Sequence, residues 1–242
     1  MNVENKTILI TGANRGIGRA LVDEALRRGV KKVYAGTRSA LEAADKRVTP
    51  LSLDVTNAAQ VQQAVEQVDS LDVLINNAGI AIYDDLTNFE VIEKHLAVNF
   101  LGLLRVTHAF LPALRRSHGA IVNNLSMVGL AALPVIPAYS LSKAAAFNMT
   151  QSLRALLAGQ AIRVHAVVLG PVDTDMNRGF EIPKASRESV AAGIFDGLEK
   201  DQDEIFPDPA SLSLAEGWRN GALKALEHEF SAFLPASPGS AA

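Results

Sequence analysis

The chain has 242 residues, 48% of them hydrophobic, enough for one α/β domain with a full core. A net charge of −3 gives no electrostatic footprint for nucleic acid, and the absence of cysteine excludes a disulfide framework and thiolate chemistry. Neither a signal peptide nor a membrane-length apolar segment is read, so the expectation is a soluble, cytoplasmic protein with no membrane partner.

Thr7–Thr11 is a short apolar run rich in β-formers and reads as a buried strand. Gly12-Ala13-Asn14-Arg15-Gly16-Ile17-Gly18 follows, and then a helical pattern over residues 19–28. A strand, a glycine turn and a helix make a phosphate-binding unit. Gly12 permits the tight turn, Gly16 lets backbone approach a pyrophosphate, and Gly18 lets the helix pack close to the strand. The helix N-terminus adds free N–H groups and a partial positive charge. An ordinary glycine turn would use the same residues, but the strand–turn–helix context favours a nucleotide.

Further along, residues 32–36, 48–53 and Val73–Asn76 read as strands two, three and four. A helix is expected over residues 57–68, with Asn57 near its start, and a long one over 91–116. Residues 120–125 form strand five, 138–157 a helix and 162–169 strand six. The end of the chain predicts a last strand at 204–206 and an amphipathic helix over 212–233. Residues 235–242 are small residues and proline and are expected to be a disordered tail, leaving 1–234 as one domain. This alternation predicts a doubly wound parallel sheet of about seven strands with helices on both faces.

Ser126, Tyr139 and Lys143 carry the chemistry. Tyrosine is a poor acid at neutral pH, its unperturbed pKa being about 10. Lys143 lies four residues on, one helical turn away on the same face. Its charge is expected to favour the phenolate and bring the tyrosine towards a working acid–base range. Ser126, at a neighbouring strand end, is placed to hold a substrate oxygen. A surface Tyr–Lys pair is the plain alternative. The five histidines show no ligand spacing, and Asp84-Asp85 and Asp173/Asp175 read as loop or cap residues, so no metal is expected.

With these motifs in order, the chain resembles the short-chain dehydrogenase/reductase family, from Thr7 to Met176. The resemblance rests on Thr11-Gly12-x-x-x-Gly16-x-Gly18, Leu53-Asp54-Val55, Asn76-Asn77-Ala78-Gly79 and Val98-Asn99. It continues through Ile121-Val122-Asn123 with Ser126, Tyr139-x-x-x-Lys143, and Gly170-Pro171-Val172-Asp173-Thr174. It implies a single-domain Rossmann fold and an NADPH-dependent carbonyl reductase, working reversibly with Asn99, Ser126, Tyr139 and Lys143 as catalytic residues. In that pattern the Asn99 carbonyl holds a water of the proton relay, and Lys143 also binds the nicotinamide ribose. Asp54 and Val55 lie by the adenine, Asn77, Ala78 and Gly79 by the cofactor, and Thr174 by the carboxamide, with Gly170, Pro171, Val172 and Met176 on the same loop.

Thr37 stands where an acidic residue would hold the adenosine ribose, and Arg38 follows it. With no carboxylate to repel a 2′-phosphate, Arg38 and Arg15 point to NADP(H). Met127, Pro134, Val135, Ile136, Met176 and Phe180 are the candidate substrate pocket, with Leu133 beside them, and predict a hydrophobic ketone or aldehyde. Leu133 and Ile136 are equally readable as core. Residues 175–189 read as a small flap. The family-based expectation is a homodimer through helices 91–116 and 138–157; the family's homotetramer is not assumed, because the end of the chain departs from the usual pattern, and a monomer capped by the last helix is the alternative. A non-catalytic NADP-binding sensor or scaffold is the alternative on the same fold. A longer epimerase would need a substrate domain that these residues do not supply.

Overall fold

The structure, a computed structural model, describes residues 1–233. Seven parallel strands are β1 (Thr7–Thr11), β2 (Lys32–Thr37), β3 (Val48–Ser52), β4 (Val73–Asn76), β5 (Ala120–Asn124), β6 (Arg163–Val167) and β7 (Glu204–Ile205). Their order is β3-β2-β1-β4-β5-β6-β7. Ile8 of β1 faces Val33 of β2 on one side and Val73 of β4 on the other. The chain therefore winds outwards in both directions from β1. The crevice at the C-terminal ends of β1 and β4 is the switch point where such sheets take ligands.

The helices are α1 (Gly16–Arg27), α2 (Ala58–Gln67), α3 (Phe89–Leu96), α4 (Leu103–Ser117), α5 (Pro137–Ala158), α6 (Arg187–Glu199), and the short α7 (Pro209–Leu212), α8 (Ala215–Arg219) and α9 (Ala222–Ser231). Strand periodicity sorts them into two layers. Ile8 and Ile10 pack with Leu21 and Ala25 of α1 and Ile194 and Phe195 of α6. Leu9, between them, packs to the other side with Val61 of α2, Phe110 and Leu114 of α4, and Leu153 of α5. Asn57 caps α2, its side chain accepting from Ala59 N and Gln60 N. Pro137 opens α5 at a position where no helical N–H is needed.

Polar groups inside this second layer fix the helices to the strands. Asn76 Nδ2 donates to Thr107 Oγ1 of α4 at 3.0 Å and to Asn123 Oδ1 at 2.9 Å. Asn123 Nδ2 donates to Thr150 Oγ1 of α5 at 3.0 Å. These side chains are buried, so losing one partner would leave another unsatisfied.

Several expectations change. The helix expected over 212–233 is broken into α7, α8 and α9. The breaks fall at Ser213-Leu214 and Asn220-Gly221, and a Cβ on Gly221 would lie 2.5 Å from Gly217 O. Helix α6 has no counterpart among the elements expected from sequence; residues 187–189, the end of the expected flap, are its first turn. The helix expected over 91–116 is a 29-residue rod, Phe89–Ser117, which changes to a π-helical turn at Ala97–Gly102. This rod is long and apolar enough by composition to cross a bilayer, contrary to expectation, yet Val106, Phe110 and Leu114 lie in the core. The last strand stops at Ile205 rather than at 206. The tail at 235–242 lies outside the described residues.

Charge holds α9 in place. Lys224 Nζ lies 3.0 Å from Asp203 and 3.1 Å from both Glu204 and Glu227. Arg154 of α5 pairs with Glu204 at 2.9 Å and also with Glu227. Lys224→Met leaves Glu204 with Arg154 alone. It is expected to lower unfolding free energy by about 1.5–3 kcal/mol, the worth of one charged hydrogen bond. Urea denaturation measures this; a loss within error would show that the network is not holding the segment.

Candidate active site

The glycine turn uses left-handed backbone that favours glycine. Gly12 and Gly16 sit at φ +66° and +54°. At Gly18 a Cβ would lie 2.0 Å from Gly12 O and 2.6 Å from Asn77 Nδ2, so α1 seats directly on the turn. Asn77 ties this turn to β4. Its Nδ2 donates to Thr11 O at 2.9 Å and Gly12 O at 3.2 Å, and Thr11 Oγ1 accepts from Asn77 N and Ala78 N, each at 3.0 Å.

A cleft of about 810 Å³ runs along the switch point. Of the residues expected to hold a cofactor, Gly12, Asn14, Arg15, Gly16, Ile17, Gly18, Thr37, Arg38, Asp54, Val55, Asn77, Ala78, Gly79, Tyr139, Thr174 and Met176 line it. Arg15 and Arg38 both line it, Arg38 following β2 and Arg15 lying 3.7 Å from Asp175 in the loop after β6. Burial works to raise the Asp54 pKa. Hydrogen bonds from Thr56 and the Arg38 and Arg105 charges outweigh that and hold it below the usual carboxylate range. Asp54 is both cleft wall and turn residue: Oδ1 accepts from Thr56 N at 2.8 Å and Thr56 Oγ1 at 2.7 Å. Gly170, Pro171 and Val172 are set back from the cleft wall. Gly170 N donates to Asp208 at 2.8 Å, and Val172 is buried and bridges Ala185.

Tyr139 lines the other end, partly open to the cleft. Lys143 is buried one turn along α5, its Nζ donating to Asn124 O at 2.8 Å and lying 5.7 Å from the Tyr139 ring centroid. Burial pushes the Tyr139 phenol up to about 12, and a hydrogen bond with Ser126 works against it. Burial also brings Lys143 down to about 8. The spacing predicts a lowered tyrosine, and the structure corrects this. In the unliganded protein desolvation dominates, which favours the protonated phenol of Tyr139 at neutral pH. Ser126 Oγ also donates to Leu169 O at 3.3 Å and accepts from Val128 N at 3.4 Å.

Asn99 lies in the π-helical turn, a common place for functional residues. Its side chain clamps one residue of the cleft wall: Oδ1 accepts from Ile80 N and Nδ2 donates to Ile80 O, both at 2.9 Å. Nδ2 also reaches Ser142 Oγ at 2.9 Å. Of the expected substrate residues, Met176 lines the cleft. Met127 packs against a core cluster with Leu125 and Phe147 instead. Pro134 and Val135 are exposed, Ile136 is half-buried, and Phe180 stacks on Tyr83.

Sequence reasoning missed three contributors. Ser39 lines the cleft beside Arg38 and accepts from Asn14 Nδ2 at 3.0 Å. Asp84, expected as a loop residue, accepts from Ala138 N at 3.3 Å and so caps the helix that carries Tyr139. His95 is fully buried and meets Tyr139 edge to face, ring centroids 6.2 Å apart. Its Nε2 accepts from Ile82 N at 3.0 Å, so the proton sits on Nδ1, which donates to Val91 O at 2.8 Å. Its place one turn before Asn99 was the only signal in the sequence.

Comparison with known proteins agrees with this geometry. Residues 6–184 match the family described as short chain dehydrogenase. The chain is 34% identical over 210 residues to the 3-oxoacyl-acyl-carrier-protein reductase FabG of Thermotoga maritima, covering 80% of this chain and 84% of that protein. It is 34% identical over 241 residues to ketoacyl reductase HetN of Nostoc sp., covering 88% and 84%. A solved short chain dehydrogenase from Burkholderia cenocepacia J2315, in complex with NADP, shares 35% identity at a TM-score of 0.87, over 97% of this chain and 100% of that one. This chain belongs to the short-chain dehydrogenase/reductase family and is an oxidoreductase.

His95→Leu removes the acceptor for Ile82 N–H and the edge contact with Tyr139. It is expected to lower kcat by up to about 10²-fold, the scale of a small misplacement of a reacting group. His95→Gln, which keeps an acceptor, should recover most of that. Equal losses in both variants, with matching losses of stability, would reduce His95 to packing.

Proposed function

We propose that this protein reduces a hydrophobic ketone or aldehyde to an alcohol with NADPH, reversibly. The observation that carries this reading is that Tyr139, its phenol pushed up by burial, lines the same cleft as the glycine turn and two arginines. A non-catalytic scaffold would have no use for that acid.

The residues present fit a phosphorylated dinucleotide. The Gly12–Gly18 turn leaves room for a pyrophosphate beside the α1 N-terminus, since Gly12 and Gly16 present no side chain there. Arg15 and Arg38, with Ser39 between strand and cleft, would hold a 2′-phosphate, and Thr37 offers no competing carboxylate. Thr174, with Lys143 from below, would hold the nicotinamide end. When bound, NADPH supplies the hydride.

The chain's own groups do the rest. Ser126 donates a hydrogen bond to the substrate carbonyl oxygen and polarises it. Tyr139 gives that oxygen its proton as the carbon is reduced. Lys143, held on Asn124 O, keeps a positive charge beneath the phenol and stabilises the tyrosinate that remains. Asn99 holds the Ile80 backbone, and with it the wall against which the substrate is placed.

Tyr139→Phe tests the assignment. It is expected to remove roughly 10²–10⁴-fold of the turnover, the range of a general acid, while NADPH still binds. Arg38→Asp should weaken NADPH by about tenfold or more and leave NADH little changed, as expected for one charge-assisted bond. A Phe variant with most of the wild-type rate would end the catalytic reading; equal wild-type use of both cofactors would end the phosphate reading.

The pH profile follows from Lys143. Its cation is present below about 8 and lost as pH rises through that value. The kcat/KM profile reports the free enzyme, so reduction should decline above about pH 8. Lys143→Arg keeps its charge and should carry whatever activity it retains to higher pH without that decline. An identical midpoint in both proteins would show that another group sets it.

A further inference from the structure

Two loops frame the Tyr139 end of the cleft. In the loop after β4, Ile82 lines the cleft, while Asp84 is bonded to α5 one residue before Tyr139. In the loop after β6, Met176 lines it. Across the gap the rings of Tyr83 and Phe180 stack, centroids 5.8 Å apart and 21° from parallel. Tyr83 is 64% exposed, so its ring is not placed there by the core. Ile82, Met176 and Val135 are also exposed and extend the apolar rim.

The rim carries no excess of positive charge. Residues 80–89 and 119–142 contain no lysine or arginine, and the first loop carries Asp84 and Asp85. In the second loop the cations are matched by carboxylates: Arg178 and, at 3.7 Å, Arg15 of the glycine turn both pair with Asp175, Arg187 pairs with Glu188 at the start of α6, and Lys184 is offset in charge by Glu181. A carrier-bound acyl thioester arrives on an arm containing phosphate. Such a ligand is steered and held by cations, and like charges at the entrance oppose it. An aromatic pair on an apolar rim favours the opposite kind of ligand: uncharged, with a ring that can stack or meet a ring edge.

We infer that the substrate is an uncharged, ring-bearing hydrophobic ketone seated against Tyr83 and Phe180, and that phosphate-bearing acyl thioesters are poor substrates. This rests on the reading of the protein as an NADPH-dependent carbonyl reductase. It separates this chain from the carrier-protein activity in the name of one of its relatives.

The test uses three ketones with NADPH: ethyl benzoylacetate, acetoacetyl-N-acetylcysteamine and acetoacetyl-coenzyme A. The last two share a reacting group and differ in phosphates. Ethyl benzoylacetate should have the highest kcat/KM. The uncharged thioester should exceed the coenzyme A thioester by about tenfold at low salt, with the gap closing as salt screens the rim. Tyr83→Ala should raise KM for ethyl benzoylacetate by about tenfold, on the scale of a lost aromatic pair, and change the uncharged thioester by no more than about twofold. Tyr83→Phe should behave as wild type, and Phe180→Leu should repeat the effect of Tyr83→Ala if that variant folds poorly. Coenzyme A thioester turned over as well as its uncharged counterpart, or an aromatic ketone indifferent to both ring deletions, would overturn the inference. Calorimetry on the NADP-loaded protein separates the two readings. Ethyl benzoylacetate binding that depends on Tyr83, with no turnover of any ketone, supports this inference and sinks the reductase reading. No binding of that ketone to the wild type sinks this one.

Discussion

A buried ammonium held by a strand-end carbonyl organises this site. Lys143 Nζ donates to Asn124 O at 2.8 Å, at the point where β5 runs out. An isolated buried charge is costly, so the lysine has to keep that partner. The same asparagine extends the link sideways. Asn124 Nδ2 donates to Asn77 Oδ1 at 2.9 Å, and Asn77 in turn holds Thr11 O and Gly12 O. One polar path therefore joins α5 to the ends of β5, β4 and β1.

A second set of contacts works from the other side of the cleft. The α3–α4 rod is not a continuous α-helix; its π-helical turn holds Asn99, whose side chain grips both backbone groups of Ile80. One turn earlier His95 takes the N–H of Ile82 and lays its ring edge against Tyr139. Asp84, farther along the same loop, caps α5. Tyr139 is thus bounded by one loop and one rod, whereas Lys143 is bounded by the sheet. The tyrosine and the lysine answer to different parts of the fold.

Much of this was legible in the sequence, for physical reasons. Strands buried on both faces leave unbroken apolar runs, so Thr7–Thr11 and Val73–Asn76 are found where they were expected. The glycines of the turn are dictated by backbone angle and close approach, which only one residue type satisfies. Contacts between distant segments left no such mark. Asp84 meets Ala138 across 54 positions, and nothing near Asp84 announces a helix cap. Helix α6 is buried at Val190, Ala191, Ile194, Phe195 and Leu198, and its first turn, residues 187–189, reads in the sequence as the end of a flap. The direction of the tyrosine shift was not legible, because residue spacing reports a neighbouring charge but not the desolvation around it.

The account depends on Tyr139 being an acid that keeps its proton until substrate and cofactor are in place. With three tyrosines in the chain, carbon-13 labelling of the phenol carbon gives a spectrum simple enough to follow each one, and Tyr139→Phe assigns the resonance. A pH titration of the unliganded protein by NMR should show the Tyr139 phenol intact at neutral pH and ionising only towards about 12. A Tyr139 signal already in the phenolate form near neutrality would contradict it, and would return control of the tyrosine to the charge on Lys143.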